Sequence, residues 1–150
     1  MLTRALFLLP LALVAAACGG SSEAIKLAKA IGPVRLQTPR SRVESRLGAG
    51  KVVLRGPFTK VRYERQALLI TYEDHKVQQI ATRAGRYRTT QGVHVGSTVA
   101  EMRKTYPRVR CQGEDCGLFP KNAGFRTGMT TFTVRGDRVA AIVVAYVEND

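Results

Sequence analysis

The feature that most constrains this chain is an internal repeat. Residues 32–43 (GPVRLQTPRSRV) align with residues 91–102 (QGVHVGSTVAEM) at a constant offset of 59. Val34 falls on Val93, Leu36 on Val95, Thr38 on Ser97, Val43 on Met102, and Leu47 on Tyr106. Further along, Ile70, Tyr72, Val77 and Ile80 fall on Phe132, Val134, Val139 and Ile142 at an offset of 62. The second copy has therefore gained three residues, and the sequence places that gain around the CQGEDC segment at 111–116. A repeated unit that cannot bury its apolar face alone buries it against its neighbour. The expected organisation is thus a first unit over 31–89 and a second over 90–150, sharing one domain. A chain of 150 residues suits a single modest core.

Each copy reads as an extended lead-in, a short helix, a connection and a hairpin. In the first copy Thr38 is the expected N-cap, Pro39 suits the first helical position, and Gly48 closes the helix. Val43 and Leu47 give it one apolar face. In the second copy Ser97 is the expected cap, Val99, Met102 and Tyr106 form the face, and Pro107 stops it. Residues 129–134 alternate apolar with threonine, as a half-buried strand does. Residues 135–138 (RGDR) make a turn, with Gly136 free to take positive φ. Residues 139–147 (VAAIVVAYV) are apolar on both faces, which predicts a central strand covered by helix. Residues 67–72, 73–76 and 77–82 repeat this plan in the first copy. Tyr63 and Phe125 are expected to begin the sheets. The fold class is α+β: two tandem repeats of a short helix plus antiparallel hairpin, with the helices packed on one sheet face.

The N-terminus reads as an address. A basic start (MLTR) precedes a run of 13 apolar residues at 5–17. A mature membrane span needs about 20. The run instead has the length of a secretory h-region ending in small residues. Next come Cys18 and a Gly-Gly-Ser-Ser spacer. Residues 14–18 (VAAAC) resemble the lipobox of bacterial lipoproteins, with Ala15 where leucine is usual. That resemblance implies a signal peptide over 1–17, lipid attachment at Cys18, and a lipid-anchored tether over 18–30. Within it, residues 24–30 (AIKLAKA) could add a turn or two of helix. Two or more acyl chains anchor stably where one binds only marginally.

Cysteine usage agrees with export. With Cys18 taken by lipid, Cys111 and Cys116 remain as an even pair, and an oxidising compartment favours a disulfide between them. The ring is small, so its chain-entropy gain is only about 2 kcal/mol. The CxxxxC spacing, with only His75 and His94 elsewhere, fits neither a zinc site nor a redox CxxC pair. No metal or other cofactor is expected.

The segment Val93-His-Val95-Gly96-Ser97-Thr-Val-Ala-Glu101-Met102, followed by a loop and a terminal hairpin, resembles the tandem α/β repeat of β-lactamase inhibitor proteins. It is also similar to the small lipoproteins of outer-membrane assembly, which use one such unit. The first copy departs from the pattern: Gln37 stands at the glycine position, and Ser41 and Arg42 replace the acidic position. The resemblance implies helices packed on an antiparallel sheet. It carries over no binding residue, since one fold hosts many roles.

Catalytic patterns are missing from the sequence. There is no GxSxG, HExxH or phosphate loop. His75 falls in the expected turn beside Asp74, and His94 falls between two inward valines, so both read as exposed residues. The acidic pairs at 73–74 and 114–115 fall in expected loops. The chain is not expected to be an enzyme.

The charge is large and uneven. The formal net charge is +13. Residues 18–89 hold 15 Lys/Arg against 5 Asp/Glu, whereas residues 90–150 hold 8 against 6. Arg83, Arg86 and Arg88 form the densest cluster and are the candidate polyanion-binding residues. Expected partners are the membrane, through the N-terminal lipid, and an envelope protein or anionic envelope polymer. Export argues against nucleic acid as a physiological ligand, although the charge would suit it. The sequence therefore predicts an extracytoplasmic, lipid-anchored, non-catalytic binding or scaffolding module. Two other readings are an inhibitor of a secreted or envelope enzyme, and a small envelope enzyme with a polar pocket near His75 or His94.

Overall fold

The computed structural model describes residues 23–148. Cys18, the leader and the start of the tether lie outside the described residues. Over the described residues the chain is α+β, with two helices against a large antiparallel sheet.

The first unit contributes α1 (Arg40–Leu47), β4 (Lys51–Leu54), β5 (Thr59–Tyr63), β6 (Leu68–Glu73) and β7 (Lys76–Thr82). The second contributes α2 (Val99–Thr105), β9 (Arg110–Gln112), β10 (Asp115–Leu118), β11 (Arg126–Arg135) and β12 (Arg138–Glu148). The eight strands form one sheet in the order β4-β5-β6-β7-β12-β11-β10-β9. The units meet where β7 pairs antiparallel with β12, in the register Ile80–Val144 and Thr82–Ile142. Each unit thus buries its innermost strand against the other's.

Period-two alternation decides which side chains meet. Ile70, Ile80, Phe132, Ile142 and Val144 are fully buried on one face. Val43 of α1 and Met102 of α2 join the same core from above. Burying such a side chain contributes roughly 1.5–3 kcal/mol. β12 is central, as its composition predicts, but helix covers only one of its faces. Ala141, Val143 and Ala145 are half-buried on the other, where small and β-branched residues tolerate partial exposure.

The repeat extends to individual hydrogen bonds. In the first unit the Gln37 N–H donates to Val77 O, Val77 N–H to Thr38 O, and Arg40 N–H to His75 O, at 2.7, 3.0 and 2.8 Å. In the second, Gly96 N–H donates to Val139 O, Val139 N–H to Ser97 O, and Val99 N–H to Asp137 O, at 2.8, 2.9 and 2.8 Å. Every partner is the equivalent residue at offset 59 or 62. These bonds tie each lead-in and helix start to the turn of its own hairpin. Gly96 has φ 104, and Gln37 holds φ 63 at the same place. The side chain there is tolerated in the left-handed region, where Gln37 Nε2 also reaches Gln78 Oε1 at 3.2 Å.

Several boundaries differ from the sequence expectation. Helix α2 is capped by Thr98 rather than Ser97. Thr98 Oγ1 accepts from the Glu101 N–H, and Glu101 accepts from the Thr98 N–H, a complete capping box. Ser97 Oγ is instead engaged by His94 N–H at 3.1 Å. Helix α1 starts after Pro39 with no side-chain cap, because proline, which has no side-chain acceptor, stands where the second unit has Thr98; Thr38 does not cap it. The tether does not extend to residue 30. Ala24–Lys26 (β1) and Ala30–Ile31 (β2) form a small sheet with β3 (Val34–Arg35) and β8 (Arg88–Thr89). Ile25 and Ile31 are buried, so apolar burial overrides the weak helical tendency of this segment. Tyr63 ends β5 rather than beginning a sheet, and Phe125 is exposed just before β11.

The length difference between the copies also lies elsewhere than expected. Cys111 and Cys116 face each other across the β9–β10 hairpin, and Cys116 lies opposite Phe132. In the first unit Val52 faces Val61 across β4–β5, and Val61 lies opposite Ile70. The Cys111–Cys116 disulfide, with a Cα separation of 3.9 Å, therefore replaces a Val–Val cross-strand pair. Its hairpin is four residues shorter than its counterpart, and the β10–β11 connection is seven longer, for the net gain of three. The bonded pair is a strand pair, not a loop.

Candidate functional site

The predicted basic cluster lies where the described chain begins. The Arg88 N–H donates to Glu23 O at 3.1 Å. The Arg86 guanidinium stands 3.7 Å from the Glu23 carboxylate and donates to Arg65 O at 3.0 Å. Its Cζ sits 5.2 Å from the ring centre of Tyr87. Tyr87 is buried, and its hydroxyl donates to Gln66 O at 2.6 Å. Arg83, Arg86 and Arg88 are all exposed. The three do not act alike. Arg86 is oriented by Glu23, Arg65 and Tyr87. Arg88 Nη1 lies 3.1 Å from His94 Nδ1, which also lies 3.0 Å from Gly92 O; the first contact needs an unprotonated Nδ1 and the second a protonated one, so Nδ1 serves one of the two at a time. Arg65, the end of the basic run that begins at Lys60, meets this cluster through its backbone carbonyl in the β5–β6 turn. Spacing along the chain could not reveal it, because the fold brings together residues about twenty positions apart.

A second polar cluster lies under α1, near the β6–β7 turn. That turn is Asp74–His75, with φ 46 and 58 at the two residues, the geometry of a two-residue hairpin turn. Arg40 Nε donates to Glu44 Oε1 at 2.7 Å, and its guanidinium lies 5.5 Å from the Tyr72 ring centre. The hydroxyls of Tyr63 and Tyr72 are hydrogen-bonded to each other at 2.9 Å, and both residues are buried. Burial pushes the phenol pKa of both tyrosines above the ordinary value; for Tyr72 the bond to Tyr63 adds to this. Two open clefts of about 390 and 230 Å³ flank the cluster, and both include Arg40 and His75. In the second unit the positions of Arg40 and Tyr72 are held by Val99 and Val134, which pack against the core. The first unit has thus exchanged an apolar lid for an internally paired polar one. Arg40 is committed to Glu44 and Tyr72, and the tyrosine hydroxyls to each other.

The Tyr63–Tyr72 pair yields a sharp test. Removing one hydroxyl strands a buried partner, at about 1–3 kcal/mol, whereas removing both leaves nothing unsatisfied. Y63F and Y72F should each lose stability in urea denaturation, and the double variant should lose no more than the worse single one. Additive losses would mean that the two hydroxyls do not serve each other. Because both phenol pKa values are raised, the pair's contribution is complete below the unfolded value near 10 and is lost as pH climbs above it.

Among the described residues Glu101 is the one Asp or Glu with a shifted pKa. The backbone and hydroxyl of Thr98 donate to its carboxylate and hold it below the usual carboxylate range. Among the described residues no cluster of three His, Cys, Asp or Glu could hold a metal. A third cleft, of about 280 Å³, is mostly apolar and lies between Leu27, Tyr106, Pro107 and Phe119.

The fold and this geometry define a tandem-repeat α+β module with a basic first half. No protein-family model matches the chain, and no curated protein matches it. One solved structure is similar: the 1.5 Å crystal structure of an extracellular protein containing an SCP domain from Bacillus anthracis str. Ames. The superposition has a TM-score of 0.52 at 7% sequence identity and covers 73% of this chain and 43% of that one. The chain therefore spans less than half the length of that protein, and the likeness is one of fold.

Proposed function

We propose that this protein is a lipoprotein of the bacterial cell envelope, held outside the cytoplasm by lipid on Cys18 and acting there as a non-catalytic binding or scaffolding module. One observation carries the reading. Glu23 lies against Arg86 and Arg88: its backbone oxygen accepts from the Arg88 N–H, and its carboxylate stands 3.7 Å from the Arg86 guanidinium. Cys18 stands five positions before Glu23 in the sequence, a reach of at most roughly 17 Å. A lipid on Cys18 would thus hold that cluster close to the headgroups or to envelope polymer. Near an anionic membrane each basic residue adds about 1 kcal/mol. The disulfide suits an oxidising compartment. The internal pairing of Arg40, Glu44, Tyr63 and Tyr72 supports a structural rather than catalytic role for the polar cluster.

Two measurements test this. C18S should abolish incorporation of labelled palmitate and leave an uncleaved precursor or unacylated protein. Retained palmitate would refute lipidation at Cys18. Neutralising Arg83, Arg86 and Arg88 together should weaken salt-sensitive binding to isolated envelope, while neutralising Arg135 and Arg138 should matter less, since Asp137 lies between them. Exposed charges are screened over about 8 Å at physiological ionic strength, so binding should fall as salt rises. Equal losses from the two sets would remove the cluster's role.

A further inference from the structure

The β4–β5 hairpin is the longer of the two equivalent hairpins, and its extra length forms a tip at residues 55–58 (RGPF). Val53, Leu54 and Phe58 are 40, 50 and 49% exposed around that tip. The segment is also purely cationic. Residues 45–63 carry Arg46, Lys51, Arg55, Lys60 and Arg62 and no Asp or Glu. Lys51 lies directly opposite Arg62, and Leu54 opposite Lys60, so all four share one face of the hairpin. Like charges facing across strands are unfavourable. Glu64 stands 4.0 Å from Arg62, and Asp74 of the β6–β7 turn lines a cleft with Gly56, Pro57 and Thr59 beside the tip, so the five cations of residues 45–63 outnumber the acids that face them. An exposed apolar tip with cations in excess around it matches the interface of an anionic bilayer, where apolar side chains sit at the acyl boundary and cations meet the headgroups. Edge-to-edge pairing with a second copy is disfavoured. It would set Lys51 and Arg55 against the same residues, and the bulge at Val52/Leu54 breaks the edge.

We infer that the β4–β5 tip docks on anionic membrane through Leu54 and Phe58, guided by Lys51, Arg55, Lys60 and Arg62. This deepens the envelope reading above without needing its acyl chain. The strand β5 runs from Thr59 beside the tip to Tyr63, next to the turn that holds Arg65 and Arg86. An anchor leaving at Glu23 and a tip at Phe58 would therefore hold the two ends of one sheet edge, and lay that edge along the membrane.

The chain contains no tryptophan, so a single one reports locally. Full-length F58W would be mixed with vesicles of phosphatidylglycerol and phosphatidylcholine, and with phosphatidylcholine alone, each with brominated acyl chains. F125W places the probe on a residue 65% exposed, far from the tip. Blue-shifted, bromine-quenched emission is expected for F58W on the anionic vesicles only, with F125W remaining in water. The additional changes K51Q, K60Q and R62Q should weaken tip docking roughly hundredfold, about fivefold per cation. In C18S the tip should still be quenched at excess lipid, while palmitate labelling decides the anchor independently. Unquenched F58W would overturn the inference, including the case where an acidic protein strand is the true partner. So would equal quenching of F58W and F125W, equal quenching on neutral vesicles, or loss of quenching in C18S.

Discussion

Phe132→Ala should destabilise the domain by about 3–5 kcal/mol, the largest effect expected from a single truncation. Phe132 is fully buried at the middle of β11, between Cys116 on β10 and Ile142 on β12. Its ring stacks on Tyr106 with centroids 5.7 Å apart. Tyr106 follows α2, and its hydroxyl donates to Thr89 Oγ1 at 2.7 Å. Removing the ring would therefore leave a cavity where helix, sheet and the small N-terminal sheet converge. The equivalent residue of the first unit is Ile70, whose truncation should cost less, about 2–5 kcal/mol, because fewer atoms leave. Urea midpoints of the two variants compare them directly. A Phe132 loss no larger than that of an exposed residue would mean that the second unit is not built around this ring.

The contrast between what sequence did and did not reveal follows the same division. Residues with period-two or period-four spacing were legible: Val43, Met102, Ile80 and Ile142 all sit in the core, and the two terminal hairpins turn at Asp74–His75 and Gly136–Asp137 as their turn chemistry requires. The strands β4, β9 and β10 were not legible. They are three or four residues long, with β4 and β9 exposed at the sheet edges and β10 just inside β9, so alternation has too few positions to show. The N-terminal strap failed for another reason. AIKLAKA has helical composition, and only the long-range contacts of Ile25 and Ile31 turn it into strand. The basic cluster was half legible. The run of arginines at 83–88 shows in the sequence. The arrival of Arg65 and Glu23 beside it depends on the β5–β6 turn and the strap. The Tyr63–Tyr72 bond was invisible, since cross-strand register decides it and register is not written in either residue.

That strap supports the second large effect. Gly128→Val should lift residues 24–31 off the sheet and cost about 3 kcal/mol or more, at or beyond the usual range for overpacking. Gly128 lies in β11 beneath the backbone of Ala28. A Cβ there would fall onto the Ala28 carbonyl oxygen and come within 2.6 Å of its carbon. The obstruction is backbone, so no side-chain rotation can relieve it. The strap is also held by the Ala28 N–H, which donates to the buried Thr130 Oγ1 at 2.8 Å two residues along the same strand. Displacing Ala28 would strand that hydroxyl and uncover Ile25 and Ile31. Alanine at Gly117 provides the control, because its Cβ would meet Met129 Sδ at 3.6 Å and Arg110 O at 3.9 Å, both ordinary contacts. Hydrogen exchange should show the Gly128 variant opening first at residues 24–31, with β6, β7 and β12 still protected. The Gly117 variant should stay within about 0.5 kcal/mol of the parent. If the Gly128 variant kept full protection at residues 24–31, the strap would not lie across β11, and the contacts of Glu23 with Arg86 and Arg88 would not hold either.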